Sequence, residues 1–285
     1  MNLRIRPATP ADADACGQIC YDAFYTIART HAFTPDFPSV EAAQMLMRMA
    51  IDHPDAYAIV AEMDERIVGS NFLWEQCEIG GVGPITIDPG VQNAGLGRRL
   101  MDAALNRAEQ SGRNGVRLVQ AGYHTRSLSL YAKLGFDPRE PLANMQGKPI
   151  GKSLPGYKVR PAESADQSAC DALCRTVHGH DRHGELSDAI RHKTASVVER
   201  EGRITGYATL LGFFGHAAAE TTQDLKALIA AATEFAGPGI LVPARNAELL
   251  RWCLDEGLQI VQPMTLMSRG FYQEPQGAFL PSVLF

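Results

Sequence analysis

Apolar residues follow two different periods along the first half of the chain, and each period predicts one kind of element. Spacings of three or four residues predict amphipathic helices, whereas alternation and short continuous apolar runs predict strands. Helices are predicted over 11–29, 40–51, 96–108 and 126–134. Strands are predicted over 3–7, 57–63, 66–74, 81–87 and 116–121. Gly135 should end the last helix in a left-handed cap, with a closing hairpin from Phe136. The order indicates an α+β fold, in which a mixed, mostly antiparallel sheet is flanked by helices.

The chain contains an internal sequence repeat. Ile5-Arg6-Pro7-Ala8 aligns with Val159-Arg160-Pro161-Ala162 at an offset of 154, and eight of sixteen positions match from Arg6 onward without a gap. Arg66-Ile67-Val68-Gly69 aligns with Arg203-Ile204-Thr205-Gly206 at an offset of 137. A stretch rich in proline and glycine separates the copies, as a linker would. The sequence therefore predicts a first domain over 1–148, a linker over 149–156 and a second domain of the same kind over 157–285.

Composition narrows the class of protein without giving a function. Hydrophobic residues make up 45% and charged residues 21% of the chain, as in soluble globular proteins. The net charge of -5 argues against a general nucleic-acid binder, because neutralising phosphates requires a basic surface. No stretch resembles a signal peptide or a membrane span, so a cytoplasmic location is expected. The six cysteines lack zinc-type spacing, which favours reduced thiols.

The segment after the predicted strand 81–87 is the strongest candidate binding feature. Ile87-Asp88-Pro89 leads into Gln92-Asn93-Ala94-Gly95-Leu96-Gly97, and a helix begins at the glycines. The first N–H groups of a helix have no carbonyl partner inside it, and the helix start carries about half a positive charge. Arg98 and Arg99 add two full charges. The turn is therefore a candidate pyrophosphate site.

Three competing motifs fit less well. Gly151-Lys152-Ser153 suggests a P-loop, but the spacing to Gly147 is one residue short and Leu154-Pro155-Gly156 cannot open the required helix. A Rossmann site would need a G-x-G-x-x-G turn in a parallel unit and a later acidic residue, and the sequence has neither. A metal site is conceivable in the segment 178–183, but its irregular spacing in a Gly-containing polar loop favours an exposed loop without metal. The residues of that segment are His178, His180, Asp181 and His183.

The order I/V-x-P, Q-x-x-G-x-G, strand, and a helix ending in LYAKLGF resembles the GNAT superfamily of acyl-CoA-dependent N-acyltransferases over residues 1–148. The resemblance implies two GNAT-like domains, acetyl-CoA as the acyl donor and no metal. It also implies that strand 82–87 splays from strand 116–121, so that the pantetheine arm lies in the gap. The cofactor-binding residues would be Ile85, Thr86, Ile87, Gln92, Asn93, Ala94, Gly95, Leu96, Gly97 and Arg98, with His124 and Ser127.

The same resemblance gives candidate catalytic residues. Tyr131 occupies the position whose phenol commonly protonates the departing thiolate, and a phenol can stay protonated at neutral pH. His124 replaces an asparagine that often contacts pantetheine, and Ser127 follows in the next helix. A general base for the amine is expected at Glu75 or Glu78, at the strand junction on the acceptor side, although each is also compatible with a solvated turn residue and a water relay would need neither.

The second copy lacks the glycine turn. Glu220-Thr221-Thr222-Gln223-Asp224-Leu225 replaces it, and Asp224 would cap the helix and compete with a phosphate. Cys253 takes the place of Tyr131. The copy therefore resembles the degenerate half of a tandem GNAT protein. Separately, the apolar tail 279–285 is too short to span a membrane and is predicted to dock on the protein.

The functional hypothesis is transfer of an acetyl or short acyl group from coenzyme A to a primary amine, by direct attack in a ternary complex. A non-catalytic acyl-CoA sensor is the alternative. The expected partner is a small-molecule or peptide amine, with no nucleic acid and no membrane. The sequence leaves monomer and homodimer open.

Overall fold

The computed structural model describes residues 3–92 and 95–284 and has the α+β organisation that the sequence predicts. The chain groups into two compact units. The first comprises residues 1–75 and 79–118 with 284, and the second comprises 76–78 and 119–283 with 285. This division of the contacts falls well before the predicted linker 149–156, so the compact units do not coincide with the two sequence copies.

The first unit is a sheet with helices on both faces. Its strands are β1 (Leu3–Pro7), β2 (Ala56–Met63), β3 (Arg66–Trp74), β4 (Ile79–Val82), β5 (Thr86–Ile87) and the start of β6 (Gly115–Ala121). Its helices are α1 (Ala13–Thr30), α2 (Val40–Asp52) and α3 (Leu96–Gln110). Ala58 and Val60 pack with α1 and α2, whereas Ile59 and Ala61 pack with α3. Because side chains alternate along a strand, α3 lies on the opposite face of β2 from α1 and α2.

The parallel pair formed by β4 and β6 is short. Residues 79–81 of β4 pair with 115–117 of β6, whereas β5 pairs with β3. The single strand predicted over 81–87 is therefore wrong. Gly83 has a φ of 133°, a conformation that favours glycine, and Pro84 has no N–H for a ladder. Among the described residues of this unit, nothing pairs in parallel with the chain after β4, as the expected splay requires.

The second unit contains two sheets. In one, β7 (Asp137–Gln146) lies between β12 (Ile240–Pro243) and β13 (Gln259–Gly270). The other has the order β14-β11-β10-β9-β8. Its strands are β8 (Lys158–Pro161), β9 (Ser196–Arg200), β10 (Arg203–Ala208), β11 (Ala217–Ala219) and β14 (Ala278–Leu280). The helices are α4 (Thr125–Lys133), α5 (Gln167–His178), α6 (His183–Arg191), α7 (Thr222–Ala231) and α8 (Ala247–Asp255).

The closing hairpin expected after Phe136 is wrong. β7 is antiparallel to both of its neighbours, and both neighbours belong to the second sequence copy. The strand pattern at 137–146 shows that a partner strand is needed but carries no information on which distant segment supplies it. The last strand of the first copy therefore has its hydrogen-bond partners in the second copy.

One ion pair appears in both copies and confirms that the repeat is structural. Arg6 donates from Nη1 and Nη2 to the two Asp12 carboxylate oxygens, both at 2.8 Å, and from Nε to Glu62 at 2.8 Å. The hydrogen bonds from Arg6 lower the pKa of Asp12 to about 2. The second copy has the same arrangement at Arg160, Asp166 and Glu199, with distances of 2.7, 2.8 and 2.6 Å. These positions differ by the offsets of 154 and 137 that align the sequences.

Asp12→Asn is expected to lower the free energy of unfolding of the first unit by about 2 kcal/mol at pH 7. The pKa of Asp12 is depressed in the folded state, so its contribution is present above pH 3.8, the ordinary value, and is lost as the pH falls through about 2. Urea unfolding between pH 7 and pH 2 should show the wild-type and variant curves converging. Asp14→Asn is the control, because this exposed carboxylate pairs with Arg48 at the surface and should change stability by less than about 1 kcal/mol. A constant difference at all pH values would contradict the expectation.

The segment 178–183 is not the exposed loop that its composition suggests. His178 ends α5 and is 7% exposed, and His180 is 2% exposed. His183 begins α6 and bonds Asp171 through Nδ1 at 2.7 Å. Among residues 3–92 and 95–284, no group of three histidine, cysteine or acidic side chains could hold a metal.

The remaining expectations concern the tail, the cysteines and the membrane. β14 pairs with β11 and Leu280 is buried, so the predicted docking of the tail is confirmed as far as residue 283, while Phe285 lies outside the described residues. All six cysteines are buried with free thiols. In the described part of the chain, no helix has the length and apolar character to cross a membrane.

Candidate active site

Helix α3 begins without a side-chain cap. Gly95 precedes it in the left-handed conformation, with φ 75° and ψ 6°, and among residues 3–92 and 95–284 no side chain caps the first turn. The Arg99 N–H donates to the Gly95 carbonyl at 3.2 Å, so the three amides before Arg99 have no carbonyl one turn earlier in the helix. A Cβ at Gly95 would meet no atom within 4 Å. Among the described residues nothing fills the space at this helix start, and of the predicted turn residues Asn93 and Ala94 lie outside the described residues.

The strand that leads to this turn presents backbone groups on its outer edge. The Asp88 N–H donates to the Val68 carbonyl of β3 at 2.9 Å. Because backbone groups alternate along a strand, the amide of Ile87 points away from β3. Gln92 donates from Nε2 to the Ile87 carbonyl at 3.3 Å, which ties the turn to the strand. The structure therefore brings Ile87 and Gln92 together at the entrance to the helix.

The neighbours Ile85 and Thr86 have side chains that are already used in packing. Thr86 is 3% exposed and its hydroxyl lies 3.1 Å from that of Ser70. Ile85 packs in the core with α3. Leu96 is buried, whereas Arg98 is exposed and lies 3.7 Å from Asp102. Ile85, Thr86 and Leu96 can offer backbone groups to a ligand, and Arg98 can offer its guanidinium.

The two candidate bases are in very different environments. Arg107 donates to both Glu75 oxygens at 2.9 to 3.1 Å and its guanidinium lies over the ring of Tyr57, 5.2 Å from the centroid. Glu78 is exposed and, among the described residues, has no hydrogen bond or ion pair. Glu75 is thus held in a bidentate pair, whereas the carboxylate of Glu78 faces solvent. Sequence reasoning missed Arg107, because no local signal links it to a residue 32 positions earlier.

Tyr131 lies on α4 in the second unit. It is 6% exposed, and burial raises the pKa of its phenol above the ordinary value of 10.0. Gly135, with φ 84°, lets the chain turn back so that Phe136 donates to the Tyr131 carbonyl at 3.0 Å and packs on its ring edge. Within residues 3–92 and 95–284, the hydroxyl has no hydrogen-bond partner. The phenol is thus protonated at neutral pH and available to donate.

His124 and Ser127 hold the start of α4. His124 is the N-cap residue, and its carbonyl accepts from Leu128 N–H at 3.2 Å. Ser127 Oγ lies 2.8 Å from that carbonyl and 2.8 Å from the side-chain oxygen of Gln120, which is 5% exposed. One hydroxyl proton serves only one of these acceptors at a time. Ser127 therefore has a structural role at this helix start.

The corresponding helix of the second copy begins in the opposite way. Thr221 and Asp224 form a capping box at the start of α7, with the Thr221 side chain accepting from the Asp224 N–H. Asp224 is fully buried and accepts from Thr205 at 2.6 Å and Arg200 at 3.1 Å. The Thr221 side chain thus accepts from an amide of the first turn, and the Asp224 carboxylate places a negative charge at the positive end of the helix. Asn246, at the position of the family asparagine, caps α8.

Comparisons with known proteins bear on the family and the fold. The family model of the acetyltransferase (GNAT) domain matches residues 27–150. Mycothiol acetyltransferase from Nocardia farcinica is 38% identical over 80 residues, which cover 26% of this chain and 26% of that protein. The match therefore spans about a quarter of that relative's length.

Two solved structures resemble nearly the whole chain. A proposed acetyltransferase from Pyrococcus horikoshii has a TM-score of 0.73 at 16% identity and covers 96% of this chain and 91% of its own. A tandem GNAT protein from the clavulanic acid biosynthesis pathway has a TM-score of 0.57 at 13% identity, and the match covers 94% of this chain and 98% of that protein's chain. These similarities extend over both copies, and the fold is that of two GNAT-like domains.

Proposed function

We propose that this chain transfers an acetyl or similar short acyl group from coenzyme A to a primary amine, which the match of residues 27–150 to the acetyltransferase (GNAT) domain model supports. The observation that carries the proposal is the uncapped start of α3, with its left-handed Gly95 and open space around it. A pyrophosphate fits there, because the free amides and the helix dipole both favour an anion. Arg98 adds a positive charge at the same turn.

The backbone next to the turn suits the rest of the donor. The outward amide of Ile87, and that of Ile85 two residues before it, can bond the amide groups of a pantetheine arm. Such backbone bonds require no particular side chain, which agrees with the use of the Thr86 hydroxyl in a buried pair with Ser70. Gln92 would hold the turn rather than the ligand.

We propose a direct attack in a ternary complex. The amine nitrogen adds to the thioester carbonyl, and collapse of the tetrahedral intermediate breaks the carbon–sulfur bond and releases the thiolate. Tyr131 would donate its proton to that sulfur, which suits a hydroxyl that has no hydrogen-bond partner among the described residues. Glu78 is the better candidate to take the proton of the amine, because Glu75 is held by Arg107.

The second copy would not bind coenzyme A. Asp224 fills the anion position at the start of α7 and is itself bonded by Thr205 and Arg200. A pyrophosphate would have to displace a buried carboxylate and leave Arg200 and Thr205 without it. One donor site per chain is the proposed stoichiometry.

Titration calorimetry with acetyl-CoA is expected to give one site per chain. At a ligand concentration of 100 times the dissociation constant, acetyl-CoA should also add about 2.7 kcal/mol to the free energy of unfolding. Release of free thiol over a panel of amines, including the acceptor of the mycothiol acetyltransferases, then tests turnover. Absence of a thermal shift would overturn the donor site, and binding without thiol release would indicate an acyl-CoA sensor. Two sites per chain would contradict the proposed loss in the second copy.

A further inference from the structure

The connection between β3 and β4 is packed into the second unit. Gln76 donates from Nε2 to the Asp188 carboxylate of α6 at 2.8 Å. Cys77 is 7% exposed, and its thiol donates to Glu185 of the same helix at 3.9 Å. Glu78, the next residue, is exposed. A four-residue connection between strands, 75–78, is thus held at two successive side chains by one helix.

The backbone of this connection also lies directly on α6. A Cβ added to Gly184 would lie 2.7 Å from the Gln76 carbonyl oxygen and 3.2 Å from its Cβ. Glycine is unfavourable in a helix by about 1 kcal/mol relative to alanine. Because Gly184 has no left-handed φ that would require glycine, its missing side chain serves the contact with Gln76.

Helix α6 is itself anchored by a buried polar chain. Arg182 donates to both Glu185 oxygens at 2.6 and 2.7 Å and is 4% exposed. His216 is 2% exposed and bonds Glu185 through Nδ1 at 3.2 Å and the Tyr207 hydroxyl through Nε2 at 2.9 Å. Burial lowers the pKa of His216 to about 4, so the neutral ring donates to Glu185 and accepts from Tyr207. Glu185 therefore links α6 to the sheet of the second copy through His216, and it also accepts from the Cys77 thiol.

We infer that α6 is a positioning element for the proposed reaction: it fixes Gln76 and Cys77, and through them the backbone that carries the adjoining Glu78. This inference rests on the proposed function, in which Glu78 receives the amine proton. A mobile Glu78 would have to be ordered in each turnover, and loss of such positioning reduces the rate without removing any reacting group. The second copy thus contributes to acceptor chemistry without binding the donor.

Gly184→Ala tests the contact, with Ser187→Ala as the matched control. Both substitutions favour the helix, but Ser187 is exposed on α6, whereas the new methyl group at 184 meets the Gln76 backbone. Native labelling with N-ethylmaleimide and mass spectrometry reports on the contact, because Cys77 is buried beneath it. Gly184→Ala should label Cys77 at least about tenfold faster, with Cys16 and Cys253 unchanged as reporters of general unfolding.

Kinetics test the positioning. Gly184→Ala should lower kcat/KM for the amine by about tenfold or more, while the dissociation constant of acetyl-CoA changes less than about twofold. If this variant fails to fold, Gln76→Ala takes its place, with Gln223→Ala as the control, since Gln223 makes a similar 2.8 Å bond to Glu248. Unchanged labelling of Cys77 would overturn the contact, and faster labelling with unchanged kcat/KM would overturn the positioning role. Wild-type protein that releases no thiol with any amine would overturn the proposed function and with it the positioning role, whereas the labelling would still report on the contact.

Discussion

Gly95→Asp is expected to weaken acetyl-CoA binding by about a hundredfold while leaving the fold intact. Gly95 is left-handed, a conformation that aspartate tolerates better than most residues, and a Cβ there meets no atom within 4 Å. The new carboxylate would lie beside the amides proposed to bind pyrophosphate. Two like charges about 5 Å apart repel by about 3 kcal/mol at an effective dielectric constant of about 20, which corresponds to that loss. Titration calorimetry measures it.

Two controls separate charge from backbone strain. Gly95→Asn has nearly the same size without the charge, and its affinity should stay within about tenfold of the wild type. Gly202→Asp introduces the same residue at another glycine with open space, where φ is 76° compared with 75° at Gly95. It should leave binding unchanged. Equal affinity of Gly95→Asp and the wild type would show that the pyrophosphate binds elsewhere.

Tyr131→Phe is expected to lower kcat by about a hundredfold with little change in acetyl-CoA affinity. The substitution removes one hydroxyl and keeps the buried ring that packs against Phe136. The departing thiolate would then have to take its proton from water. Steady-state release of thiol gives kcat, and calorimetry gives the dissociation constant. Because burial raises the pKa of Tyr131, the wild-type rate should show no loss of this acid below about pH 9.

Tyr157→Phe provides the comparison for that experiment. Tyr157 is a half-buried tyrosine of the same unit, packed against the core beside α7 and α8, so its variant loses a hydroxyl without touching the proposed chemistry. Its turnover should match that of the wild type. If Tyr131→Phe also kept its turnover, the proton donor would have to be another group or solvent.

The elements and the repeat could be predicted because they depend on local patterns. The spacing of apolar residues predicted α1, α2 and α3 to within a few residues. The offset of 154 aligned Arg6 with Arg160, and the ion pairs of these two residues correspond in the structure. Pairing between distant segments left no such signal. The composition of 137–146 would suit a local hairpin equally well, yet β7 pairs with β12 and β13.

In the candidate site too, local features could be read from the sequence and contacts between distant residues could not. The glycine turn is local, and its backbone conformation follows from Gly95 and the helix that begins after it. Glu75 forms an ion pair with Arg107, which lies on α3, far from Glu75 in the sequence. Because no local pattern shows this pair, the sequence could not distinguish Glu75 from Glu78 as the general base. The buried His180 lies edge-on to the ring of Phe271, which is far along the chain, and no local pattern indicates that contact.

The position of β7 between β12 and β13 also bears on whether one sequence copy could be lost during evolution. A gene shortened at the linker would encode a first copy whose last strand had lost the neighbours on both of its edges, and unpaired edges invite aggregation. The first copy alone would therefore lack the strands that pair with β7. Under the proposed function, the second copy could lose its donor site by drift and still be retained, because the first copy depends on its strands.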